Sequence, residues 1–502
     1  MMQIRLLSLT LALLTGFALQ AHSAELGVLA PVMVDGKPQE RAAPDGAMAP
    51  VVTRVTSGKL FEQLQHEARE GFTASILALD ERAQRMSGQA QVRPTWLYLS
   101  LEDGGFPRFG FWLQDGKQVR FVGEHYVDLV VDEDTVANGG FEEIFAHEQG
   151  HVLLRRLLPS LPDGYSRTPH AALAVTDRVT AFDEGFAMHF EALARHLTHN
   201  EQLRLEDDGL TGKPFLPYWA SHTDRTWRLE GTRRNSFVQL QLPLPGEADA
   251  ILARDHSTLF DTGKLKSGDQ MMASEGVVST VCYRWLAPGE GTTAALLERY
   301  GQLFSALKAL DKTGLKPDSP VLVNLLQTYA AQYPAEGKQA LRVFIETTYG
   351  STVDPAMARQ TEALAARGIV GDMEGFVTQL KPARAALAKL IEDTTPARLD
   401  AALSSPIWLY GDAPADKSKG EGIAFDLNTA EREGLQALPG IDAATAERIV
   451  AERRAHGPYA SLDAVSSRLS LSPAATTAPQ SLHEAGKRAG GYAPPWGSQE
   501  NA

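Results

Sequence analysis

The stretch Ala146-His147-Glu148-Gln149-Gly150-His151-Val152 reads HExxH inside an apolar run, and it constrains this chain more than any other segment. On a helix, residues four apart stand on one face a turn apart, so His147 and His151 can reach one metal ion. Glu148 then lies beside the open side of that ion, where a carboxylate can take a proton from water. Two imidazoles leave such a site one protein ligand short. The chain must therefore fold so that a second element, remote in sequence, meets this helix.

The motif helix has readable ends. Asn138-Gly139-Gly140 caps a helix expected over 141–158, Glu142 and Glu143 suit the positive end of its dipole, and Pro159 stops it. A second helix is expected over 177–199, with Phe182, Phe186, Phe190, Leu193 and Leu197 on its apolar side. It carries Phe182-Asp183-Glu184-Gly185-Phe186-Ala187, then Met188-His189-Phe190-Glu191. A carboxylate on this helix is what the two histidines lack.

Together the two segments resemble the gluzincin metallopeptidases, in particular the zinc aminopeptidases with an NEGFA-type motif on the second helix. The resemblance spans residues 141–191. It implies one zinc ion held by His147, His151 and Glu184 in a zincin-like two-helix site, and peptide or protein substrates. A glutamate seven positions after the ligand belongs to the pattern, and Glu191 fills it. Two helical turns put Glu191 on the face of Glu184, within reach of a ligand histidine. Asp183 stands where asparagine is usual and joins Glu191 behind the ligands.

Two features depart from the aminopeptidases. The interval from His151 to Glu184 holds 32 residues, longer than in those enzymes, and no GAMEN-type segment lies upstream. The resemblance thus implies a gluzincin-type peptidase without aminopeptidase specificity. The expected chemistry is hydrolysis by a water activated at zinc, with Glu148 as general base and later as donor to the leaving amine. In related enzymes a downstream tyrosine or histidine steadies the oxyanion. Tyr283 is the candidate here and Tyr218 its competitor, with core packing as the alternative for both. His189, His196 and His199 are expected as partly exposed helical histidines, and His170 as a loop residue.

The remaining chain of 502 residues has room for about three domains. Residues 1–24, with Arg5, an apolar run and Ala21-His22-Ser23-Ala24, read as a secretory signal peptide, which implies a secreted or periplasmic protein. No later run is long and apolar enough to span a membrane. The single cysteine, Cys282, excludes an internal disulfide framework, so core and metal must stabilise an exported chain. Residues 25–57 read as an extended, poorly ordered lead-in. Residues 58–200 form the catalytic lobe, in which an antiparallel sheet with Asp115-Gly116 at a hairpin leads into the metal helices. A mainly helical region covers 201–410, a polar linker 411–424 and a disordered tail 467–502. The fold class is α+β, mainly α.

Residues 425–466 resemble a helix-hairpin-helix module of the competence-protein type, from Asp426-Leu427-Asn428-Thr429-Ala430 through Leu438-Pro439-Gly440-Ile441 to Gly457-Pro458-Tyr459-Ala460-Ser461-Leu462. Asp442 stands where DNA-binding members have the second glycine of the hairpin. Acidic residues outnumber basic ones in this module, and the whole chain carries a net charge of -14. Both argue against phosphate contacts and favour a protein partner. The alternative to a peptidase is a secreted binding protein, for DNA or protein, that uses this module and keeps a structural or inactive metal site.

Overall fold

Strands form where β-branched and aromatic residues alternate with small or polar ones. β1 (Leu26–Pro31), β4 (Glu40–Ala42), β5 (Met48–Arg54), β6 (Thr95–Leu99), β7 (Phe106–Asp115) and β8 (Gln118–Leu129) build one mixed sheet. β2 (Met33–Val34) and β3 (Lys37–Pro38) make a separate hairpin. β1 pairs in parallel with β6 and antiparallel with β5, so β1-β6-β8-β7-β5 closes into a ring. The strands give one face to an aromatic cluster of Leu29, Val52, Trp96, Tyr98, Phe111, Leu113 and Tyr126. Gly27 pairs with Trp96, and a Cβ there would come within 2.4 Å of the indole, so glycine is what lets the ring lie flat on β1. The opposite face gives Leu26, Val28, Leu97, Val127 and Leu129 to the main core shared with the helices.

The computed structural model describes residues 25–348 except 102–103, 163–171, 173–177, 211–228, 230, 234, 236, 242–259, 267, 288–292 and 317–318; beyond 348 it describes 385, 388–389, 392, 442–456 and 467–469. The expected signal peptide, the 411–424 linker, Tyr218 and His170 lie outside these residues.

Two expectations about the sheet need correcting. The segment 25–57 is extended but is no loose lead-in, because β1 and β5 bury Leu26, Val28, Leu29, Val51 and Val52. Pro31 and Pro38 end β1 and β3, Pro44 lies in the turn between β4 and β5, and Pro50 stands within β5 opposite Glu40. The sheet is also mixed rather than antiparallel. β7 and β8 form the expected antiparallel hairpin, with Asp115 opposite Gln118 and Gly116 at φ +57°. β6, however, pairs in parallel with both β1 and β8: α1 and α2 lie in the chain between β1 and β6, and β7 is the strand traversed between β6 and β8.

The helices are α1 (Lys59–Glu67), α2 (Gly71–Met86), α3 (Glu133–Ala137), α4 (Gly140–Leu157), α5 (Arg178–Leu197) and α6 (Glu201–Leu210). After the short pair β9 (Gln239–Gln241) and β10 (Phe260–Leu265) come α7 (Gly268–Met272), α8 (Glu275–Leu286), α9 (Thr293–Leu310), α10 (Val321–Gln332), α11 (Pro334–Thr347) and α12 (Ala443–His456). The fold is α+β and mainly helical. No helix among the described residues is long and apolar enough to cross a membrane.

Buried ionic groups fasten α4 to its neighbours. Glu142 Oε1 accepts the backbone N–H of Phe72 at 2.5 Å, and its Oε2 accepts the Thr198 hydroxyl. It thereby caps α2, whose own N-cap residue, Glu70, makes no side-chain cap bond. Gly71, at φ +64°, leaves room for this carboxylate, since a Cβ would stand 2.7 Å from Oε1. Glu143 pairs with Arg195 of α5, and Arg156 reaches Asp80 of α2 at 3.2 Å. Asp80 also accepts from Gln84 and Thr95, each at 2.8 Å. Acids that the helix dipole alone would place in the first turn are thus cross-links between elements. An uncompensated partner here would be costly.

Burial, and then the Glu142 carboxylate, push the Glu67 carboxyl up to about 7. A carboxyl raised on folding binds more protons in the native state, so its contribution is full below the unfolded pKa near 4.5 and is lost as pH rises through about 7. The stability of the parent relative to Glu67→Gln is therefore expected to fall between pH 4.5 and 7.5 in denaturant titrations; a pH-independent difference would contradict this placement.

Candidate metal centre

The motif helix begins where Gly139 turns at φ +78° and Asn138 Oδ1 accepts the Gly140 N–H at 2.8 Å, as the sequence implies. α4 and α5 then pack directly on each other, and two glycines set how closely. A Cβ on Gly150 would lie 2.9 Å from the Ala187 Cα and 2.9 Å from the Phe190 ring. On the other side of α5, a Cβ on Gly185 would lie 2.5 Å from the Glu275 carbonyl oxygen of α8. α5 is therefore held between α4 and α8 with no space for side chains at these crossings. Gly150 is inside the HExxH motif, and Gly185 follows Glu184 directly.

That approach brings His147, His151 and Glu184 together, with one donor atom of each within 4.8 Å of the others. Glu184 Oε2 lies 3.7 Å from His147 Nε2 and 3.5 Å from His151 Nε2. These separations are long for hydrogen bonds. They match two ligands on one tetrahedral ion, which stand roughly 3.3–3.5 Å apart when each bond is 2.0–2.2 Å.

The other ring nitrogens are already committed. His147 Nδ1 donates to Glu191 Oε1 at 2.6 Å, and His151 Nδ1 donates to Asp183 Oδ1 at 2.8 Å. A proton fixed on each Nδ1 leaves the Nε2 lone pairs to face the common centre. The donor set and its spacing suit a divalent metal ion. Burial works against charge on both imidazoles, yet the carboxylates outweigh it and hold both above the ordinary histidine range: Glu184 and Glu191 for His147, Glu184 and Asp183 for His151. The pocket favours positive charge, so protons and a metal ion compete for it.

Glu148 is buried, and its Oε2 has no hydrogen-bond partner. Burial raises its pKa, with the Glu184 and Glu191 carboxylates adding to the effect and the histidines opposing it. Gly105, at φ +106° just before β7, borders the group: a Cβ there would be 3.7 Å from Glu148 Oε1. Ile144, one turn earlier on α4, is 39 % exposed, and Leu101 and Val130 are exposed at the same end of the sheet.

Tyr283 is placed differently. It is half-buried on α8, and the contacts that hold it are apolar, with Ala192 of α5 and Leu229. The structure does not join it to the histidine–glutamate group. His189 departs from expectation: it is fully buried, its Nδ1 bonded to the Phe186 carbonyl and its Nε2 to the Tyr300 hydroxyl. Burial lowers its pKa to about 3, which makes it a neutral core residue rather than a partly exposed one. His196 and His199 are exposed. Sequence reasoning missed Arg155, whose Nη2 donates to Asp183 Oδ2 at 2.5 Å. Its spacing four residues after His151 was the available signal.

In the C-terminal segment, Asp442 Oδ1 accepts the Thr445 N–H at 2.7 Å and so caps α12. Arg448 bonds the Leu469 carbonyl, and Arg468 pairs with Glu452 at 3.2 Å. A family described as helix-hairpin-helix motif matches residues 420–478. No curated protein and no solved structure matches the chain.

Two substitutions test this geometry. Gly185→Ala must push α8 from α5, with an expected loss of about 1–3 kcal/mol in denaturant unfolding; an unchanged midpoint would show that the crossing is loose. Glu191→Gln is expected to weaken zinc binding about 10–100-fold in chelator competition, because the Nδ1 partner loses its charge. Unaltered affinity would separate Glu191 from the site.

Proposed function

We propose that this chain is a metal-dependent hydrolase acting on peptide bonds, with one zinc ion held by His147, His151 and Glu184. The observation that carries the reading is the pairing of two Nε2 atoms at 3.5 Å and 3.7 Å from one carboxylate oxygen with two Nδ1 atoms anchored on acids. When bound, zinc supplies Lewis acidity, polarising a carbonyl and lowering the pKa of water toward neutrality. Glu148, buried and with an unpartnered oxygen, takes the proton from the attacking water and returns it to the leaving amine. The exposed aliphatic surfaces of Ile144, Leu101 and Val130 offer apolar side chains of a peptide a place to lie. Peptide rather than ester or other substrates rests on the sequence likeness of 141–191 to gluzincin peptidases, and residues 1–24 support action after export.

The helix-hairpin-helix motif belongs to a class of modules that contact nucleic acid or protein. A protein partner is favoured here, because the Asp442 carboxylate takes the Thr445 N–H and sets a negative charge at the start of α12, where a phosphate would have to bind. This segment is read as an accessory to the hydrolase.

The test is Glu148→Gln measured beside the parent. It is expected to retain one zinc per chain by elemental analysis while peptide-library cleavage falls by ~10²-fold or more. Cleavage at the parent rate, or cleavage by the parent that survives complete chelation, would overturn the proposal.

A further inference from the structure

Behind His151 stands a charge pair that the proposed hydrolysis does not itself require. Arg155 follows His151 by one helical turn on α4, and Asp183 is the residue before Glu184 on α5. Asp183 spans them: its Oδ1 receives His151 Nδ1 at 2.8 Å and its Oδ2 receives Arg155 Nη2 at 2.5 Å. Both partners are largely buried, with Asp183 at 14 % and Arg155 at 25 % side-chain exposure, so water screens this pair weakly. A second nitrogen, Arg155 Nη1, reaches the Leu161 carbonyl at 3.4 Å, just past the end of α4. The guanidinium is thereby held at two points, and its planar fork fixes where Asp183 can sit.

A carboxylate that takes the Arg155 guanidinium on one oxygen accepts from His151 on the other, which keeps the His151 proton on Nδ1 and leaves Nε2 free to bind. His147 is held by Glu191 from within the ligand helix pair, two turns along α5 from Glu184.

We infer that Arg155 is a positioning residue for the metal centre, acting through Asp183 to fix the orientation and tautomer of His151. The inference rests on the metal-site reading above. It also predicts a sign that simple charge does not. Arg155 is a cation near a cation site, so by repulsion alone its removal would tighten metal binding. Positioning predicts the reverse.

The experiment is a double-mutant cycle on the full chain, with the zinc dissociation constant measured by competition with a chromophoric chelator. Arg155→Met and Asp183→Asn are each expected to weaken zinc binding by about tenfold or more, and Arg155→Lys by less, since it keeps the charge. In the Asp183→Asn background, Arg155→Met should add less than about twofold, because its route to His151 is already cut. A role confined to packing would instead give additive losses. Unchanged or tighter binding in Arg155→Met, or additive losses in the double variant, overturns the inference. Should Arg155→Met fail to fold by circular dichroism, Arg155→Gln completes the same cycle. A parent that binds one zinc beside unaffected variants removes only the role of Arg155. A parent that binds none removes the metal site itself.

Discussion

The close packing of α5 between α4 and α8 is the constraint on which the candidate site depends. Helices bearing side chains at every crossing position keep their axes 8–10 Å apart, and polar groups on adjacent faces then diverge. Here Gly150 and Gly185 remove the obstructing Cβ atoms on either side of α5. Glu184 is drawn to within 3.5 Å of His151 Nε2 as a result. The phenylalanines of α5, at 182, 186 and 190, are fully buried and make the packing rigid rather than merely close.

A second layer of organisation is ionic. α4 carries Glu142, Glu143, Arg155 and Arg156, and each finds a partner on another segment: α2 and the end of α5 for Glu142, Arg195 for Glu143, Asp183 for Arg155, Asp80 for Arg156. Such pairs add little net stability when compared with apolar residues of equal size. What they supply is register. An α4 rotated or shifted by one residue would strand several buried charges at once, and the histidines would leave the centre with them. Orientation of the two histidines and orientation of the whole helix are therefore the same constraint.

Much of the site could be read from spacing. His147, Glu148 and His151 follow from a helix period, and Glu191 follows Glu184 by two turns, so local geometry alone placed these groups on common faces. Assigning Glu184 needed the likeness to gluzincin peptidases, since no period links positions on separate helices. Arg155 escaped notice for the same reason: its partner lies on α5. His189 looked like an ordinary helical histidine because its environment is made by Tyr300 of α9, more than a hundred residues away. The strands of 25–57 were hidden by prolines and glycines whose local preference is for loops, a preference overridden when Val28, Leu29, Val51 and Val52 became buried.

By itself the sequence determined several elements and their chemistry: a helix presenting two imidazoles and a carboxylate on neighbouring faces, a second acidic helix, a β7–β8 hairpin turning at Gly116, and a helix-hairpin-helix segment near the end. Hydrogen bonds and side-chain periods within one element are local quantities, and a linear text records them. The tertiary structure alone decided that the sheet closes on itself, that the first-turn acids of α4 are cross-links, that Tyr283 packs on Ala192, and that Asp183 joins His151 to Arg155. Those outcomes depend on which surfaces meet, and that is settled by packing volume and the pairing of buried charge across the whole chain.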